Sequence, residues 1–471
     1  MQLNRFLFEL SWKDKEFVDF IPAFNQFDPL LPQNIKNFPM DVDMSDPAYL
    51  NFVWTLASKT KFFYHLPLQT DEATNEFLDN LYKLGTEFPI VQSVTSFACS
   101  ILMKQIYSTH NMKDRADYWD EQVRLNVLKQ CIDLLDERVD TTTNFAEMVT
   151  LSFASYILFA CNLSSPTWRT QFESCHALLV RARQMFNEVK NRYNALHTAA
   201  LKILNLVSTW FHGAQFYTQI SSDDGCDIPG VVNYANFETF KGVENNGYTI
   251  ATSQDGFSLA FGYSLKLGTL LNQIYGFIYQ MKREEGVNLG GSNLLKYFFS
   301  NKTRDIEAQV KVFGYELNMQ LQKLNLQYHR FDYADFRRNA TLKNTELILK
   351  QTLELYINIF YIAGSPQKIT ELKKQLYVSQ IQDVLELFIS TPYHSTAGAA
   401  SHWCLYICAV ISLLFNETRL VNHFMECFQL INKNGIYSVE RSLLKLKHLK
   451  TILVTKNYDG IVDPTQDFVQ I

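Results

Sequence analysis

An all-α fold, a large multi-helix domain packed around an aromatic-rich core, follows from three features of the sequence. Glycine and proline are scarce, 18 and 12 in 471 residues, roughly half the usual share for a soluble chain. Leucine, glutamine, glutamate and lysine, which lose little freedom in a helix, fill the spaces between apolar positions. The apolar residues recur at helical spacing, in runs that stop at glycine or proline. Hydrophobic residues make 47% of the chain and aromatics 14%, so a sizeable core is available. The length suits one large domain or two intimate ones.

Taken in order, the first fifty residues hold five of the twelve prolines. Residues 1–71 therefore read as an irregular lead-in packed on the core. Helical patterns dominate across 72–471. Val123, Val127, Leu128, Cys131, Leu134 and Leu135 share one helix face with charges between them. "MVTLSFASYILFACNL", 148–163, is apolar nearly all round and is expected at the centre. A helix is expected to end near Ile220. The region 221–257 carries Gly225, Pro229, Gly230, Gly242, Gly247 and Gly256 and reads as a long loop. "NTELILKQTLELYINIFYIAGSP" is a helix with a plain stop, Gly364 at a left-handed C-cap and Pro366 beyond it. Another helix runs from near Ile369 to near Ser390, where Pro392 ends it.

The net charge of −5 argues against the bulk of the chain being a nucleic-acid surface. No cationic-then-apolar leader opens the sequence. Its most apolar run, "WCLYICAVISLLF" at 403–415, is too short to span a bilayer, so no membrane partner is expected. None of the eight cysteines lies in C-x-x-C spacing. They read as buried, reduced thiols of a cytosolic or nuclear protein.

Candidate chemistry centres on "SSDDGCDIPG", 221–230. Asp223, Asp224 and Asp227 have the D-D-x-x-D spacing with which isoprenoid enzymes hold magnesium against a diphosphate. That chemistry needs a helix through the motif, so that the first and last carboxylates share a face. Gly225 inside it and Pro229 just after it oppose such a helix. The facing second metal motif is missing too: "DLLDE", 133–137, sits on an ordinary amphipathic helix. The three aspartates read as turn and cap chemistry where a helix leaves for a loop. No catalytic or metal site is assigned. There is no G-x-S-x-G, P-loop, G-x-G-x-x-G or H-E-x-x-H. The cluster of His394, Ser395, Ser401 and His402 reads as a helix start with small packing residues.

Trp168, Arg169, Trp210, His212, Tyr217 and Trp403 are the candidate anchors, for an effector or for the structure. "WFHGAQFY", 210–217, reads as core. Trp168 reads as packing at a helix start, with Arg169 satisfying carbonyls or a nearby acid. The basic helix "RSLLKLKHLK", 441–450, reads as a solvated face.

Five stretches, taken together and in this order, resemble the regulatory domain of fungal zinc-cluster transcription factors. They are "FLDNLYKLGTEFPIVQSVTSFACSILMKQI", "EMVTLSFASYILFACNLSSPTWRTQFESCHALL", "KILNLVSTWFHGAQFYTQISSDDGCDIPG", "DGFSLAFGYSLKLGTLLNQI" and "AGAASHWCLYICAVISLLFNETRLVNHFMECF". The second is the most specific: an apolar helix, a short linker, Trp168-Arg169, and a helix reaching Ala177-Leu178-Leu179. The third runs an aromatic helix into an acidic loop that closes on Ile228-Pro229. The likeness covers roughly 75–435 and is nearest to regulators of lysine and arginine metabolism and of sterol uptake. Ala409 stands where glycine or alanine is common, but Cys404 replaces the usual proline after Trp403 and the Asp255–Ser258 spacing is short.

The resemblance implies a non-enzymatic, nuclear, effector-sensing domain that controls RNA polymerase II genes. DNA would be read by a binuclear zinc cluster, with its zinc ions, that is missing from this chain. The implied partners are a small metabolite or transcription coactivators, and a second copy in a homodimer. Two alternatives stand beside it: a DNA-associated scaffold like the kinetochore member of that family, and a helical isoprenoid enzyme using Asp223, Asp224 and Asp227.

Overall fold

The computed structural model describes residues 53, 71–109, 111–163, 167–189, 194–225, 228, 249–250, 257–258, 263–300, 302–324, 336–391, 394–433, 438–462 and 468. The lead-in 1–71, most of the 221–257 loop and Asp227 lie outside these residues, apart from the positions named. Of the described residues 86% are helical, and the fold is all-α.

The N-terminal half runs α1 (Asp71–Glu87), α2 (Pro89–Thr109), α3 (Lys113–Asp117), a π-helical turn (Tyr118–Arg124), α4 (Leu125–Arg138), α5 (Phe145–Cys161), α6 (Trp168–Val189) and α7 (Ala195–Ser221). The centre is α5, where every residue from Phe145 to Phe159 is buried, as its unbroken apolar sequence requires. It packs against α2, α6 and α7. Side chains start the helices: Asn144 Oδ1 accepts from Ala146 N at 2.9 Å and Asn194 Oδ1 from His197 N at 2.7 Å, satisfying donors that have no partner inside the helix. The expected face of Val123, Val127 and Cys131 is buried, and Leu128, Leu134 and Leu135 are half-buried around it.

Three short strands, β1 (Thr249–Ile250), β2 (Phe257–Ser258) and β3 (Tyr263–Ser264), form an antiparallel sheet in that order. Ile250 pairs with Phe257 and Ser258 with Tyr263. Within the stretch 221–257 expected as a long loop, the described residues hold β1 and the first residue of β2. Two-residue strands leave too little alternation to be read from sequence.

The C-terminal half holds α8 (Leu265–Glu284), α9 (Gly291–Phe299), α10 (Arg304–Lys323), α11 (Phe336–Tyr356) continued by a π-helical segment (Ile357–Ala363), α12 (Glu371–Ile389), α13 (His394–Leu414), α14 (Thr418–Lys433) and α15 (Ser438–Thr455). Gly364 ends the α11 run at φ 65°, with Pro366 two residues on, as its sequence foretells. Helix α13 packs on α11, α12, α14 and α15, and α7 packs on α8. One continuous buried cluster links the two halves. Among the described residues no helix is long and apolar enough to cross a membrane.

Candidate functional site: the acidic exit of helix α7

Helix α7 stops at Ser221 because Ser222 turns extended (φ −82°, ψ 145°). Ser222 Oγ then accepts the Asp224 N–H at 3.2 Å and the Gly225 N–H at 3.0 Å, closing a serine turn. Gly225 sits at φ +66°, where a side chain would also strike Gln219. The turn sends its two neighbouring carboxylates in opposite directions.

Asp223 points inward, 3% exposed. Its Oδ1 accepts the Ser292 N–H at 2.6 Å and the Lys445 ammonium at 3.0 Å. It thus caps α9, a helix 69 residues away, and pairs with a buried lysine on α15. The amides of Asn288 and Asn293 donate to its carbonyl. The backbone can come this close only because Gly290 and Gly291 carry no Cβ. A Cβ on Gly290 would lie 2.3 Å from Gln219 O, and one on Gly291 would lie 2.4 Å from Asp223 Oδ1.

Asp224 points outward. Its Oδ2 lies 3.1 Å from Arg169 Nη2, with the two side chains 67% and 30% exposed. Lys282 Nζ donates to its carbonyl at 2.7 Å. Arg169 therefore satisfies an acid rather than carbonyls, and its guanidinium also lies 5.8 Å from the centre of the Trp168 ring. Beyond the turn, Tyr275 Oη donates to Ile228 O at 3.1 Å and accepts from Gln215 Nε2 at 3.0 Å.

Of the remaining anchors, Trp168, Trp210, Tyr217 and Trp403 are buried. Trp168 starts α6 and is 1% exposed against Phe159. Trp210 stacks on Tyr156 at 5.5 Å and meets Phe77 edge-on. Tyr217 is buried beside Phe216. Trp403 is buried between Phe216 and Tyr356. His212 is half-buried, with its Nε2 3.2 Å from Arg183 Nη2. Desolvation, then the charges of Arg183 and His176, press its pKa down to about 3, so the ring is neutral at pH 7.

His402, from the dismissed Ser/His cluster, meets Ser442 Oγ at 2.9 Å, both fully buried. The seven described cysteines are free thiols, all but Cys161 buried. Burial pushes those of Cys99, Cys175, Cys404 and Cys427 far above their usual range, which leaves them unreactive.

The solvated-face expectation for 441–450 is corrected at Lys445, which is 7% exposed, while Lys447 and Lys450 are exposed. Its burial escaped the sequence because a lysine between Leu444 and Leu446 reads as any amphipathic charge. Gly290-Gly291 was missed as well. The doubled glycine just before an apolar stretch was the available signal. A cavity of about 20 Å³, enough for one water, lies beside the Asp223–Lys445 pair. Tyr356, Trp403, Tyr406 and Lys445 help line it.

Asp223 and Asp224 lie past the end of the helix and diverge, so they offer no shared helical face to a metal-bound diphosphate. Among the described residues no group of three or more histidine, cysteine or acidic side chains is placed to hold a metal ion. No protein-family model matches this chain, and no curated protein or solved structure shows significant similarity to it.

Proposed function

We propose that this chain is the regulatory, effector-sensing domain of a fungal zinc-cluster transcription factor, acting in the nucleus on RNA polymerase II genes, with DNA read by a zinc module outside this chain. The observation that carries the proposal is the α7 exit. Adjacent carboxylates tie one turn both to Trp168-Arg169 in the N-terminal half and to Lys445 near the C-terminus. The family-like stretch that opens with Trp168-Arg169 and the Ser221–Gly225 turn thus meet in space through Arg169 and Asp224, as parts of one device would. An effector or coactivator that binds one arrangement of this turn better than another shifts its population by that difference in affinity.

The test fuses residues 72–471 to a heterologous DNA-binding module and follows a reporter while nutrients are varied. Output that changes with supply, and becomes constitutive or silent when 232–250 is shortened, is expected. Nutrient-independent output that the deletion leaves unchanged would remove the sensor function and favour the scaffold.

A further inference from the structure

Helix α10 (Arg304–Lys323) is apolar on two sides. Its inner side, Val310, Gly314, Leu317 and Leu321, is buried. Its outer side carries Val312, Tyr315 and Met319, exposed by 57%, 50% and 57%, with Ala308 exposed on the same line. The spacing 308, 312, 315, 319 alternates four and three, the a/d seam of a two-stranded coiled coil. The helix cannot roll to hide it. Gly314 is pressed on the π-helical segment so closely that a Cβ there would lie 2.9 Å from Tyr361 Cβ, and Phe313 stacks on Phe277 at 3.9 Å. An apolar seam held outward in this way marks an interaction surface.

We propose that this seam joins two copies of the chain, their α10 helices pairing parallel and in register. Charge selects this occupant. Val312 and Met319 take the a positions and Ala308 and Tyr315 the d positions, so Lys311 is at g and Glu316 at the following e. Parallel pairing sets each Lys311 against the Glu316 of the other copy, twice across the two-fold axis. Antiparallel pairing would bring Lys311 to Asn318 and Glu316 to Gln309, with no ion pair. A β-branched residue at a, here Val312, favours two strands. The surface is shorter than a standard interface of about 1,600 Å², so the dimer is weak and concentration-dependent. The proposal does not depend on the regulatory function.

Sedimentation equilibrium of the full chain from about 1 to 200 µM is expected to show monomer and dimer with a dissociation constant in the micromolar range. Replacing both Val312 and Met319 by lysine is expected to weaken the dimer at least ~10-fold, with helicity and melting temperature unchanged. Lys311→Glu and Glu316→Lys are each expected to weaken it, and the two together to restore it. Glu316 is exposed and Lys311 half-buried one turn from Glu307, so the melting temperature of each reversal is measured beside its dimerisation, and Glu316→Lys carries the test if Lys311→Glu unfolds. A monomer at every concentration, or a dimer indifferent to the Val312/Met319 change, overturns the proposal. Single charge reversals without effect, or a double reversal that fails to restore, overturn the parallel register.

Discussion

Lys445 Nζ lies 3.0 Å from Asp223 Oδ1 across 222 residues of sequence, with the two side chains 7% and 2% exposed. A buried pair of this kind contributes little relative to apolar replacements of the same shape, but breaking it by removing one partner costs about 3–5 kcal/mol. Lys445→Met is therefore expected to destabilise the chain by that amount in urea denaturation. Asp223→Asn keeps an oxygen for Ser292 N and should cost less. The double variant should recover part of the Lys445→Met loss, since no uncompensated charge remains. Independent, additive losses would mean the two side chains do not share one interaction. Magnesium should leave the melting temperature of the parent chain and of the Asp223→Asn, Asp224→Asn variant unchanged, because a metal held by these carboxylates would stabilise the parent by mass action.

Gly291→Ala is expected to be among the most damaging conservative changes. It combines φ +51° with a methyl group 2.4 Å from Asp223 Oδ1. The left-handed conformation alone costs roughly 1–2 kcal/mol, and displacing the carboxylate would open the Lys445 pair as well. Gly286 supplies the control. It sits at φ +65° with nothing within 4 Å of a new Cβ, so Gly286→Ala should show the conformational cost alone. Equal melting temperatures for the two variants would deny the close approach at Gly291.

Trp168→Ala should cost on the order of 3–5 kcal/mol, since the ring is buried and its removal leaves a cavity. Arg169→Ala and Asp224→Ala should each cost under about 1 kcal/mol, the usual worth of an exposed pair. Neighbouring residues thus divide. Trp168 holds the fold, while Arg169 is free to act in the reporter assay without confounding it through stability. A reporter response to Arg169→Ala with an unchanged melting temperature is the expected signature.

His212 predicts an acid-sensitive component of stability. Its folded pKa, about 3, lies below the 6.5 of a free histidine. Between these values the unfolded chain binds the proton and the folded chain does not, so stability is full above about pH 6.5 and falls with pH toward 3. Each unit in that window removes up to about 1.4 kcal/mol. His176, shifted downward by burial and by Arg183, adds in the same direction. Denaturant titrations at pH 7, 6 and 5 should give a shallower slope for His212→Gln than for the parent. Identical slopes would mean that His212 accepts a proton in the folded chain.

Much of the fold was legible from one-dimensional spacing. The buried α5, the C-cap at Gly364 and the end of α7 near Ile220 depend on side chains within a turn or two of one another, and local rules capture them. The turn after α7 was legible for the same reason: Ser222 and Gly225 are neighbours of the acids they arrange. Trp168 and Trp210 announced themselves as core by sheer apolar area.

Only the tertiary structure decided which of two adjacent carboxylates turns inward. Asp223 and Asp224 are chemically identical, and their fates are set by Ser292 and Lys445 on one side and Arg169 on the other, residues 55 to 222 positions away. The same holds for the lysine that is buried, for the glycines that must lack a Cβ because another backbone passes beside them, and for the side of α10 that meets the core. Its two apolar seams look alike along the chain. The close contact at Gly314 selects between them, because packing energy depends on what lies opposite a residue, and sequence spacing records only what lies on the same helix.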